Sequence, residues 1–148
     1  MKNRVYFGHP INVYNTELEG VLIEKILNFF NDSVSNSFDW WVLENPNQRH
    51  HQSNCQIWSK EKGNVMDYFY LCVLPHCDAG IFMPFRDGNY GAGVYGEAKW
   101  MVENGRPIWE ITHEGQIRKI ENIQDIACLS VDETRKRIRD ANQQPLPY

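Results

Sequence analysis

No stretch of this 148-residue chain approaches the ~20 consecutive apolar residues that a membrane-crossing helix requires. The opening Met1-Lys2-Asn3-Arg4 leads into only a short apolar run, too short for a signal-peptide core, so a cytoplasmic protein is expected. Cysteine is sparse. Cys55, Cys72, Cys77 and Cys128 fit no zinc-ligand spacing and suggest reduced thiols, so neither a metal nor a disulfide framework is expected. Positive charge is also in deficit: 15 Lys and Arg face 19 Asp and Glu, for a net charge of -4. That balance argues against general binding to nucleic acid or to an anionic membrane surface. There is no internal repeat and no low-complexity run. Aromatic residues, by contrast, are plentiful at 13%, with five Trp and seven Tyr. They suit a packed core, and equally a cavity that stacks a planar ligand.

The elements alternate strand and helix. Arg4-Val5-Tyr6-Phe7-Gly8 reads as a strand closed by His9-Pro10. A helix follows from about Asn15, opened by a Thr16/Glu19 capping box, with Leu18, Leu22, Ile26 and Phe29 as its buried stripe. Phe38 to Leu43 reads as a second strand. Residues 44–63 are polar and read as a long excursion beyond its end. Met66 to Val73 suits a short helix or a strand, stopped by Pro75. Residues 78–83 form a compact apolar run suited to a buried strand, and a glycine-punctuated loop runs to Gly93. A helix is expected from about Val94 to Asn104, then a strand over 106–111 that pairs with 116–120 through a Gly115 turn. Ser130-Val131-Asp132-Glu133 is a second capping box, opening a last helix whose basic residues suit a C-terminal dipole end. Residues 143–148 read as a loose tail. The pattern implies one α/β domain over 1–142, a flavodoxin-like (Rossmann-like), mostly parallel sheet with helices on both faces. Ligands of such sheets bind at the carboxyl ends of the strands, here the loops after Gly8, Leu43 and Met83.

The sharpest chemical signal is Asp87-Gly88-Asn89-Tyr90-Gly91-Ala92-Gly93-Val94-Tyr95-Gly96-Glu97. Its glycines allow a backbone to approach a ligand, and the helix that follows offers free N–H groups. Val94, Ala98 and Met101 share the apolar face of that helix, and Glu97 lies at the face's margin. From there its carboxylate would point toward the strand ends, or else serve as a first-turn dipole acid.

These parts resemble the nucleoside 2-deoxyribosyltransferase family and its nucleoside 5'-monophosphate N-glycosidase relatives. Val5-Tyr6-Phe7-Gly8-His9-Pro10 is similar to the family's opening strand and turn. Asp78-Ala79-Gly80-Ile81-Phe82-Met83-Pro84 is similar to its acid-plus-apolar strand. Gly91-Ala92-Gly93-Val94-Tyr95-Gly96-Glu97 resembles its Gly-x-Gly-x-Glu helix start, and Gly105-Arg106-Pro107 its closing turn. The resemblance implies cleavage or exchange of an N-glycosidic bond, with Glu97 as carboxylate nucleophile. It also implies an aromatic hydroxyl, Tyr6, that orients the nucleophile. A second acid would serve the leaving base, with Asp87, Asp78 and Asp67 as candidates. Gly8, His9, Trp41, Arg86, Asn89, Gly91 and Gly93 are the expected substrate contacts: Trp41 to stack a base, His9 and Arg86 to meet a sugar hydroxyl or phosphate. No cofactor is implied. The expected partner is a small nucleoside or nucleotide, and a homo-oligomer is expected. Two other functions fit the same parts, a TIR-like NAD-cleaving domain and a module that binds a nucleotide without turning it over.

Overall fold

The structure, a computed structural model, describes residues 3–148, so Met1 and Lys2 of the opening stretch lie outside the described residues. Among the described residues, seven strands and five α-helices are arranged as one α/β unit. Four parallel strands, β1 (Asn3–Gly8), β2 (Trp41–Glu44), β3 (Ala79–Phe82) and β5 (Ile108–Ile111), and the antiparallel β6 (Ile117–Ile120) form a sheet of order β2-β1-β3-β5-β6. Two short strands, β4 (Asn89–Tyr90) and β7 (Ala127–Cys128), pair in parallel beside it. The helices are α1 (Glu17–Asn31), α2 (Arg49–Lys62), α3 (Val65–Tyr68), α4 (Ala92–Glu103) and α5 (Val131–Ile138). The sheet is the flavodoxin-like one expected from the alternation of elements. No helix among the described residues is long and apolar enough to cross a membrane.

The two-residue period of β1 sorts the core into two layers. Val5 and Phe7 join Leu22, Ile26, Phe30, Ala79 and Ile81 on the α1 face. Tyr6 turns to the other face, with Phe82, Ala98, Met101 and Ile108 against α4. Phe30, not Phe29, completes the α1 stripe: Leu22, Ile26 and Phe30 recur every four residues, and Phe29 is left 46% exposed. Trp41 lies on that same face, half-buried with its ring 4.9 Å from Phe30, and so stands on the opposite side of the sheet from Tyr6.

Three stretches differ from the sequence reading, and a fourth settles on one of its two alternatives. Residues 49–62 form α2 where a loop is expected, because the inward stripe is built from His51, Cys55 and Trp58 and so lacks a hydrophobic signature. Phe38 precedes β2 in a short 3-10 turn and is exposed. Met66 to Val73 takes the helical alternative of the two expected, α3 running into a π-turn over Phe69–Val73. The last residues are docked: the Leu146 amide donates to the Ile138 carbonyl, and the Tyr148 hydroxyl donates to the Pro84 carbonyl at 2.7 Å.

Helix α5 is held over the strand ends by its start. The Ser130 hydroxyl accepts from the Glu133 amide while the Glu133 carboxylate accepts from the Ser130 amide, the full capping box that the sequence implies. At α1 only half forms, since Thr16 accepts from the Glu19 amide but Glu19 turns away toward His9. Ser130→Ala should cost about 1 kcal/mol of stability, read by urea denaturation.

Candidate active site

A cavity of about 400 Å³ lies over the carboxyl ends of β1 and β3, between α4, α5 and the α2–α3 segment. It stands where β1 leads to neighbours on both sides, the switch point at which open α/β sheets hold ligands. Glu97 is the single acid among its lining residues. Helix α4 begins at Ala92, two residues before the expected start, so Glu97 sits in the second turn and projects inward beside Ala98 and Met101. Only 6% of the residue is exposed.

The Tyr6 hydroxyl donates to Glu97 Oε2 at 2.5 Å. Gly8 makes room for this pair: a Cβ there would lie 2.6 Å from the Phe82 ring and 3.3 Å from Glu97 Oε1. Burial pushes the Glu97 carboxyl up from 4.5 to about 8, and the Tyr6 hydrogen bond opposes that rise. Burial and then the neighbouring Glu97 charge push Tyr6 far above its ordinary value. Burial likewise holds Tyr14 neutral, followed by the charge of Glu97. Tyr14 also lines the cavity, and no protein group among the described residues engages its hydroxyl. Tyr70 reaches over Gly96 and is pushed up to about 12 by burial, then by Glu97 and Asp67.

His9 closes one side of the cavity. Its Nδ1 donates to the Phe7 carbonyl at 2.9 Å, and its Nε2 meets Glu19 Oε2 at 2.7 Å. A carbonyl only accepts, so Nδ1 is the donor there, and Nε2 faces the Glu19 carboxylate. Burial alone would raise the Glu19 carboxyl. Hydrogen bonds from His9, Asn47 and Asn15 outweigh burial and hold it below its usual range.

The expected site residues divide sharply. Glu97, Tyr6, His9, Gly91 and Gly93 line the cavity, with Gly8 directly beneath. The three candidate second acids do not. Asp78 sits at the opposite end of the sheet, accepting from the Arg4 amide at 2.8 Å. Asp87 is held by Arg137 through two hydrogen bonds of 2.8 and 2.7 Å. The Arg137 hydrogen bonds outweigh burial and keep its carboxyl ionised to well below the usual carboxylate range. Asp67 is exposed on the first turn of α3. Arg86 donates to the Tyr148 carbonyl and covers the Tyr148 ring, and Asn89 bonds Asp87 in the turn. Asp87→Asn should leave turnover unchanged and cost at most about 1 kcal/mol, since an exposed ion pair is screened by solvent; assay and denaturation of the same preparation check both.

Tyr14, Cys55, Phe69, Thr134 and Arg139 are lining residues that the sequence reading does not single out. For Tyr14 the signal was its place just after the strand-ending His9-Pro10. Arg139 belongs to the basic run of α5. The Cys55 thiol is raised by burial, which suits a packing role and not a thiolate nucleophile.

No protein-family model, curated protein or solved structure matches the chain.

Outside the cavity, Glu44, His50 and His51 bring ligating atoms within 4.8 Å of one another. Both ring nitrogens of His51 are already engaged, Nδ1 with the Tyr68 hydroxyl and Nε2 with Glu44. That set reads as the polar seam joining α2 to the sheet.

Proposed function

We propose that the protein cleaves or transfers the N-glycosidic bond of a nucleoside or nucleotide, with Glu97 as the nucleophile. The observation that supports this reading is a lone buried carboxyl at the floor of a strand-end cavity, held by a tyrosine hydroxyl. A retaining glycosyl transfer needs one carboxylate placed against the anomeric carbon. In the first step the Glu97 oxygen bonds to that carbon as the bond to the base nitrogen breaks, and the electron pair leaves with the base. Water or a second base then displaces Glu97. Tyr6 fixes which carboxylate oxygen is free, since Oε2 is hydrogen-bonded and Oε1 is not. The Tyr14 hydroxyl is the neutral donor available to the departing base, and a substrate that fills the cavity would displace water from its largely apolar walls.

A panel of nucleosides, nucleotides and nicotinamide dinucleotide, with released base followed by chromatography, tests the proposal. Release of a free base supports it, and the dinucleotide arm separates the NAD-cleaving alternative. The absence of a second carboxylate on the cavity favours one rival, a module that binds a nucleotide without turnover. Tight binding of a panel member with no product from any would establish that rival instead.

A further inference from the structure

A second groove of about 620 Å³ lies along the C-terminal end of α5 and shares Ile11, Ile138 and Arg139 with the cavity as lining residues. Arg135, Lys136 and Arg139 line this groove, and all three are exposed. On the same helix Arg137 is engaged by Asp87. Arg135, Lys136 and Arg139, by contrast, make no ion pair among the described residues. The one acid of the groove, Asp140, accepts from the Asn142 and Gln144 amides at 2.8 and 3.0 Å, which ties its Oδ1 into a turn. Basic residues at a helix C-terminus favour the dipole wherever they point. That effect does not explain why they line one concavity that shares Ile11, Ile138 and Arg139 with the Glu97 cavity, in a chain whose net charge is -4.

We infer that this groove holds the phosphates of the substrate, and that the preferred substrate is a nucleoside whose 5' end carries a chain of two or more phosphates. Arg139, shared by both concavities, would meet the phosphate nearest the sugar. Arg135 and Lys136, which line the groove alone, would meet the next. Arg contributes paired donors to phosphate oxygens and Lys a mobile point charge. The inference rests on the glycosidic reading for the nucleoside half of the ligand only.

Calorimetric titration of the full chain carrying Glu97→Gln, which does not consume its ligands, tests it. Adenosine, guanosine, cytidine and uridine, their 5'-diphosphates, and free pyrophosphate are compared. At least one diphosphate should bind at least about tenfold tighter than its nucleoside, and the advantage should shrink with added salt. Adding Arg135→Gln and Lys136→Gln should remove most of the advantage while nucleoside affinity stays unchanged. Equal affinity for nucleoside and diphosphate, or an advantage untouched by the double substitution, would overturn the inference. So would pyrophosphate alone binding as tightly as the diphosphate, which marks a separate anion site. A diphosphate advantage in a protein whose wild-type form releases no base sinks the glycosidic reading and leaves the groove standing. Nucleoside turnover without a phosphate advantage does the reverse, and no binding by any ligand defeats both.

Discussion

Glu97→Gln should lower glycosidic turnover by at least about 1,000-fold, because an amide cannot displace the base and removing a nucleophile removes the whole covalent route. The same substitution should make the protein more stable at alkaline pH. The Glu97 carboxyl is raised in the fold from 4.5 to about 8, so between those values the folded state binds a proton that the unfolded state has lost. Stability therefore falls as pH rises through that window, and this group's contribution is fully present only below 4.5. Glutamine cannot ionise and escapes the penalty. The stability difference in favour of Glu97→Gln should thus open from pH 4.5 and reach its plateau above about 8. Denaturant titrations across that range check it, and they separate a chemical defect from misfolding. The neighbouring Glu19 has the opposite sign: its lowered carboxyl stabilises the fold at neutral pH and loses that effect as pH falls through the acid range.

The pH profile should carry a second large effect. A nucleophile must be ionised, and the free protein holds Glu97 largely protonated until about pH 8. Log kcat/KM should therefore climb by about one unit per pH unit on the acid side and level off near 8. A Glu97 acting as general acid would give the reverse, activity falling through the same value. Tyr6→Phe removes the hydrogen bond that holds the carboxyl down, so the rising limb should move to higher pH and activity at pH 7 should fall. A plain packing role for Tyr6 would lower activity without moving the limb.

Much of the fold could be read from spacing. The β1 strand, the Ser130 capping box and the β5–β6 hairpin all follow local rules that the structure obeys. The placement of Glu97 at the margin of an apolar helix face was also legible, because Ala98 and Met101 beside it define an unambiguous inner surface. What could not be read was anything set by partners distant in sequence. Asp87 stands ten residues before Glu97 yet is turned outward by Arg137, fifty residues further on. Asp78 stands immediately before the right strand, at its wrong end, so the strand's own length separates it from the sheet's ligand-binding edge. Helix α2 was hidden because a histidine hydrogen-bonded to Tyr68 and Glu44 can be buried in place of a hydrophobe. The cavity wall supplied by α5 depends on the Thr134 hydroxyl accepting from the Ala92 amide at 2.9 Å, a contact between elements with no sequence signature.

Mass analysis of the peptide bearing residue 97, after denaturing quench at a series of times during turnover, tests the nucleophile most directly. A covalent glycosyl intermediate predicts a mass increase of the substrate's sugar, with any phosphates it carries, confined to Glu97 and missing from Glu97→Gln. Steady base release with residue 97 unmodified at every quench time, and with Glu97→Gln as fast as wild type, would contradict it.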